Sequence, residues 1–168
     1  EHAADIKLGP GGIREIEFIV QSIQLVRGGS IAALRGQQLL RLLPALAGHG
    51  YLSTAAADEL RAAYLFLRRL ENALQALHDQ QVHSVPADAL DRERLVLQLG
   101  ATGWEELAAE IERHRAAVSR HFRAVVFRGG EADAPPVDAR LRQLWREELP
   151  EQAMAGLLEE MGFSEPGR

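Results

Sequence analysis

Apolar residues return at intervals of three and four along most of the chain, the spacing of one face of an α-helix, and glycine and proline punctuate the pattern. Ile13, Ile16, Ile19, Val20 and Ile23 share a face, so a first helix starts at Ile13 and ends near Arg27, before Gly28-Gly29. A second covers residues 37–43, with Pro44 as a kink or a fresh start before Gly48-His49-Gly50. Ser53 is a fitting N-cap for the longest pattern, in which Leu60, Ala63, Leu67, Leu70, Leu74 and Leu77 make a heptad-like seam. That helix is expected over residues 54–83, its opposite face carrying Glu59, Arg61, Arg68, Arg69, Glu71 and Asp79. Pro86 ends it, and Asp88 caps a shorter helix lined by Leu90, Leu95, Val96 and Leu99 and stopped at Gly100. Thr102 and the acids Glu105 and Glu106 open a long helix with a stripe of Trp104, Leu107, Ile111, Val118, Phe122 and Val125. Gly129-Gly130 and Ala134-Pro135-Pro136 then mark a linker, after which Leu141, Leu144, Trp145 and Leu149, and beyond Pro150 Met154, Leu157, Leu158 and Met161, continue in helical spacing.

The first residues break this rule. Asp5-Ile6-Lys7-Leu8 alternates polar and apolar and runs into Gly9-Pro10-Gly11-Gly12, which reads as one short strand closed by a turn. A lone strand needs a partner, so it is expected to pair with a sheet in a preceding part of a longer protein. The expected fold is therefore all-α, a bundle of about five or six helices with one short N-terminal strand. Residues 1–12 form the strand and glycine turn, 13–130 the helical bundle, and 131–168 a linker and helical segment leading onward.

Composition narrows the function classes. The chain of 168 residues has 46% hydrophobic and 26% charged side chains, enough for a real core. No run of apolar residues is long enough to span a bilayer and no leader is visible, which predicts a soluble, cytoplasmic protein without a membrane partner. The absence of cysteine excludes disulfides, thiolate metal sites and cysteine nucleophiles. A net charge of −5 argues against nucleic acid as a partner. Among the 19 basic residues there is a single lysine, Lys7.

Lys7 lies in the densest group of candidate side chains, residues 5–18. A glycine-rich turn feeding a helix offers free amides and a positive dipole end, and Lys7 and Arg14 add full charges, so Lys7, Gly11, Gly12 and Arg14 together could hold a phosphate. The alternative is a tight structural turn whose Glu15 and Glu17 only complement the helix dipole. It is no Walker loop, since the lysine precedes the glycines. Asp5, Glu15 and Glu17 are candidates for Mg²⁺, and at most one of the two glutamates can serve, because residues two apart on a helix face different sides. Arg68 and Arg69 are secondary phosphate candidates on what otherwise reads as a solvated face with local ion pairs. His78, His83, His114 and His121 show no metal-ligand spacing, and the last two fit packed or interfacial positions. Trp104 and Trp145 fit core anchors. No nucleophile with a base is assembled.

The run Asp5-Ile6-Lys7-Leu8-Gly9-Pro10-Gly11-Gly12-Ile13-Arg14-Glu15-Ile16-Glu17-Phe18, followed by Gln24-Leu25-Val26-Arg27-Gly28-Gly29, resembles the glutamine synthetase adenylyltransferase family, also called glutamate-ammonia ligase adenylyltransferase. Tyr64-Leu65-Phe66-Leu67-Arg68-Arg69-Leu70-Glu71-Asn72, with Leu77-His78-Asp79-Gln80-Gln81 and Val85-Pro86, is similar to the helical region of the same family. The resemblance implies a helical domain following a nucleotidyltransferase domain, in the half that removes AMP from a glutamine synthetase tyrosine by phosphorolysis; the other half attaches AMP from ATP. It further implies Mg²⁺ and ATP or ADP as cofactors, and glutamine synthetase, the PII signalling protein, nucleotide and phosphate as partners. Lys7 and Arg14 would lie beside the nucleotide, with Lys7 as an electrostatic helper. The family's Gly-Ser and Asp-x-Asp pattern of catalytic carboxylates is absent from this chain, so the piece alone is expected to be inactive. Two other roles stay open: a non-catalytic module that binds PII or glutamine synthetase, and a spacer between catalytic domains.

Overall fold

The computed structural model describes residues 4–78 and 83–127. The fold is all-α. In chain order come α1 (Ile13–Arg27), a single 3₁₀ turn (Ala32–Leu34), α2 (Leu39–Gly48), α3 (Thr54–His78), α4 (Ala89–Leu99) and α5 (Trp104–Phe127). All the described residues except Val126 and Phe127 belong to one unit, Glu1–Val125. The expected linker at 131–137 and the helical segments around Trp145 and Met161 lie outside the described residues.

The core forms because the apolar stripes of the helices meet. α1 packs on α2 and α3, and α3 also receives α2 and α4. Ile13, Ile16 and Ile19 of α1, Leu43 and Leu46 of α2, Leu60, Leu67, Leu70 and Leu74 of α3 and Leu95 of α4 are all fully buried. Each such side chain stabilises the fold by about 1.5–3 kcal/mol relative to exposure. Helix α5 adds Leu107, Ile111 and Val118 to the same cluster. It is also fastened by ring contacts: Phe122 meets Phe18 edge-on at 5.3 Å, and His114 stacks on Phe66 at 4.6 Å. Trp104 is half-buried against the core with the Arg92 guanidinium over its ring at 4.5 Å. Leu90, expected on the inner stripe of α4, is instead 53% exposed.

Local sequence sets the helix ends. The Ser53 hydroxyl accepts the Ala56 N–H (3.1 Å), and the Asp88 carboxylate accepts those of Leu90 (2.9 Å) and Asp91 (3.1 Å). Gly100 closes α4 in the left-handed conformation, φ +74°. Pro44 neither ends nor restarts α2, which runs through it, and α2 opens at Leu39 rather than at 37. Helix α3 does not reach His83. The chain there is extended, with the His83 carbonyl accepting the Ile6 N–H at 2.9 Å and Val85 donating to Ala4 at 3.1 Å.

That pairing also corrects the expected strand at residues 5–8. Among the described residues there is no strand, only a single antiparallel bridge between Asp5 and Ser84. The partner in this bridge, Ser84, belongs to this chain. The Asp5 carboxylate accepts the N–H groups of Lys7 (2.7 Å) and Leu8 (2.8 Å), which curls the backbone into a turn and buries Ile6 completely.

Candidate functional site

The glycine turn was a candidate phosphate cradle, and its worth as one depends on free backbone donors. Every N–H from Ile6 to Glu15 has an acceptor inside the chain, Pro10 having none to offer. Beyond the contacts of Ile6, Lys7 and Leu8 already described, Gly9 donates to the Asp5 carbonyl (3.0 Å), Gly11 to the Glu15 carboxylate (2.9 Å) and Gly12 to the Gly9 carbonyl (2.9 Å). Ile13 donates to the Ile6 carbonyl, Arg14 to that of Lys7 and Glu15 to that of Gly12, each at 3.1 Å. An anion would have to break one of these bonds to be held by the turn.

The glycines serve packing instead. Gly11 takes φ +72°, and a Cβ there would lie 2.3 Å from the carbonyl oxygen of Arg115 on α5; at Gly12 it would lie 2.7 Å from the Lys7 carbonyl. Arg115 completes the joint by donating from Nε (3.0 Å) and a terminal guanidinium nitrogen (2.9 Å) to the Pro10 carbonyl. Burial pushes the Glu15 carboxyl above its ordinary value, opposed by the Gly11 N–H and the Ser119 hydroxyl. The close backbone approach that glycine permits here is made by the protein's own helix.

The two charged candidates of the segment separate. Arg14 is exposed, pairs with Glu17 at 3.3 Å, and lines a groove of about 550 Å³ with Gln21, Gln24, Gln38 and Tyr64. The Lys7 ammonium pairs with a different glutamate, Glu71, at Oε1 and 3.3 Å. Glu71 lies on α3 and is 2% exposed. Its second oxygen accepts from Arg68 at 2.6 Å, and His83 Nδ1 stands 3.4 Å from the first. Lys7 and Arg68, which the sequence offered as separate phosphate candidates, are thus brought together on one buried carboxylate. Arg69 is not part of this group and donates to the Leu99 carbonyl (2.9 Å).

Glu71 was expected on the solvated face of α3, and this is corrected. The signal was present in its spacing: it stands four residues after Leu67 and three before Leu74, both buried stripe positions. A carboxylate at such a position must bring counter-charges with it, and Lys7 and Arg68 supply them. The side chains of Lys7 and Arg68 remain 33% and 45% exposed, so the cluster has a buried anion and a half-open cationic rim.

The metal candidates do not converge. Asp5 is occupied by two backbone amides, Glu15 by Gly11 and Ser119, and Glu17 by Arg14. Among the described residues no three His, Asp or Glu side chains gather around a point where a cation could sit. The α5 histidines are packed, as their spacing suggested. Burial holds His114 below its ordinary value, and His121 pairs with Glu59 of α3 at 2.7 Å, drawing the Glu59 carboxyl down. No described helix is long and apolar enough to cross a membrane.

Comparison with known proteins places these observations in a family. Residues 1–126 match the family described as GlnD PII-uridylyltransferase. The chain is 51% identical over 160 residues, 95% of its length, to a protein of Stenotrophomonas maltophilia named bifunctional glutamine synthetase adenylyltransferase/adenylyl-removing enzyme. Proteins of the same name from Pseudomonas aeruginosa and Nitrosococcus oceani are 41% and 42% identical over 95% and 97% of the chain. In each case the chain spans 17% of the relative's own length.

Proposed function

Since the chain belongs to the GlnD PII-uridylyltransferase family, we propose that it serves as the helical domain of a glutamine synthetase adenylyltransferase, in the half that removes AMP from glutamine synthetase by phosphorolysis. The observation that carries this reading is the 51% identity over 95% of the chain to a bifunctional enzyme named for both activities. The parent protein is a cytoplasmic nucleotidyltransferase that uses Mg²⁺ with ATP or ADP and meets PII as a regulator. Its metal-binding acids lie outside this chain, a reading supported by the missing Asp-x-Asp pattern and by the scattered commitments of Asp5, Glu15 and Glu17.

In this reading the domain supports a nucleotide site formed elsewhere, and its own contribution is electrostatic. Nucleotidyl transfer depends on positioning and on stabilising charge that grows on phosphate oxygens. Lys7, fixed between the turn and α3, supplies such a charge, whereas Gly11 and Gly12 set the turn's shape. The test is phosphorolysis of adenylylated glutamine synthetase by the full-length protein, the 168-residue piece and a full-length Lys7→Ala variant. Activity is expected in the full-length protein alone, with turnover reduced about tenfold by Lys7→Ala and the helical content unchanged. Activity in the isolated piece would overturn the placement of the catalytic acids, and normal turnover in Lys7→Ala would remove the lysine from the mechanism.

A further inference from the structure

The cationic rim around Glu71 carries more charge than the carboxylate can neutralise. Lys7 and Arg68 bring two positive charges to one negative one, leaving a surplus of one. Among the described residues Glu71 is the ion-pair partner of both, and it engages one nitrogen of each. An ammonium has three donors and a guanidinium five, so most donors of the pair stay available, and both side chains are at least a third exposed.

We infer that Lys7 and Arg68, held on the buried Glu71 carboxylate, form a binding site for a phosphoryl group. The chemistry of the two cations selects the ligand class. A guanidinium presents paired donors that match two oxygens of one phosphate, a lysine adds a compact point charge, and a phosphoryl dianion has the charge and the oxygens to take both at once. A further carboxylate offers two oxygens where a phosphoryl group offers three, so it covers fewer of the donors that Glu71 leaves open. Glu71 acts here as a positioning residue. From the buried side it limits the freedom of two long, flexible side chains, so less order has to be imposed when the ligand arrives. His83 Nδ1 lies 3.4 Å from the carboxylate oxygen that Lys7 also contacts. This site shares Lys7 with the one expected on the glycine turn, but it uses Arg68 of α3 in place of Arg14 and of the turn amides, which are all engaged.

The source of the phosphoryl group, free phosphate or nucleotide, rests on the proposed role in phosphorolysis, whereas the site itself does not. The experiment is calorimetric titration of the full-length protein and its Lys7→Gln and Arg68→Gln variants with inorganic phosphate and, separately, with ADP. Arg94→Gln is the control, since Arg94 makes a comparable exposed pair with Asp91 on α4. Each test variant is expected to weaken binding about tenfold, while Arg94→Gln leaves it unchanged. A loss with phosphate alone assigns free phosphate, and a loss with ADP alone assigns the nucleotide's phosphoryl group. Unchanged affinity for both ligands in folded Lys7→Gln and Arg68→Gln overturns the site and reduces the cluster to a structural ion pair. If one variant fails to fold by circular dichroism, the other decides. Phosphorolysis by the parent protein, with affinities unchanged in the variants, would sink the site and spare the family role, whereas weakened phosphate binding in the variants of a parent without that activity would do the reverse.

Discussion

Helices α1 and α5 both begin beside glycines, and in both a glutamate at the third helical position reaches back to the amide four residues earlier: Glu15 to Gly11 (2.9 Å) and Glu106 to Thr102 (2.8 Å). The resemblance stops there. The start of α1 is buried, and the carbonyl of Arg115 lies where a side chain at Gly11 would have to go. Around α5, nothing lies within 4 Å of the positions that a Cβ would take at Gly100 or Gly103. The first turn needs glycine because another helix packs against it; the second needs it at Gly100 only for a left-handed backbone. A glycine-rich turn before a helix therefore has to be judged by what fills the space around it before it is taken as an anion cradle.

The largest effect that separates the two starts is expected from Gly11→Ala. It combines a positive φ with a backbone overlap, so it should destabilise the protein by about 3 kcal/mol in urea unfolding. Equal losses from Gly11→Ala and Gly100→Ala would break the comparison. Next comes Glu71→Leu, which leaves Lys7 and Arg68 without their carboxylate. Removing one partner of a fully buried pair costs about 3–5 kcal/mol, but both cations are partly exposed and can rehydrate, so about 2 kcal/mol is expected. The same measurement checks it. A neutral result would mean that the cluster contributes nothing to holding the N-terminal turn on α3.

Much of the fold could be read from the chain because caps and stripes act locally. Ser53, Asp88, Gly100 and the Thr102–Glu106 pair behave as their residue types dictate, and the isoleucines of α1 and leucines of α3 define their buried faces by spacing alone. The rest depended on partners distant in sequence. Alternation over four residues at Asp5–Leu8 suits a strand and equally suits a turn whose aspartate captures the next amides; the pairing with Ser84, far along the chain, decided the matter. Lys7 and Arg68 were visible separately as cations, yet their convergence required Glu71 to be buried, and a lone glutamate among arginines reads as solvated until its place between Leu67 and Leu74 is given weight. The engagement of every turn amide could not be inferred at all without the carbonyls of Ile6, Lys7 and Gly9 in their folded places.

Smaller effects sharpen the contrast further. Gly100→Ala forces an alanine into the left-handed region with open space around it, and about 1 kcal/mol is expected, read as the shift in urea midpoint. A loss as large as that of Gly11→Ala would show that φ alone, rather than the contact with Arg115, sets the requirement.

The smallest effect is one of sign, and it concerns the two capping glutamates. Bonds from the Thr102 hydroxyl and amide hold the Glu106 carboxyl below 4.5, so its stabilisation is present above that value and is lost as the pH falls through the lower folded value. Burial raises the Glu15 carboxyl above 4.5 despite the Gly11 and Ser119 hydrogen bonds. Between 4.5 and that raised value the folded protein holds the proton more tightly than the unfolded chain, so Glu15 weakens the fold as the pH rises through this window and favours it on acidification. Thermal unfolding of Glu15→Gln and Glu106→Gln beside the parent protein, from about pH 2.5 to 7, separates the two. The parent's advantage over Glu106→Gln should shrink towards acid, and its stability relative to Glu15→Gln should improve. Two curves that bend the same way would mean that burial at the start of α1 does not govern Glu15, and the contrast between a packed helix start and a solvated one would lose its electrostatic half.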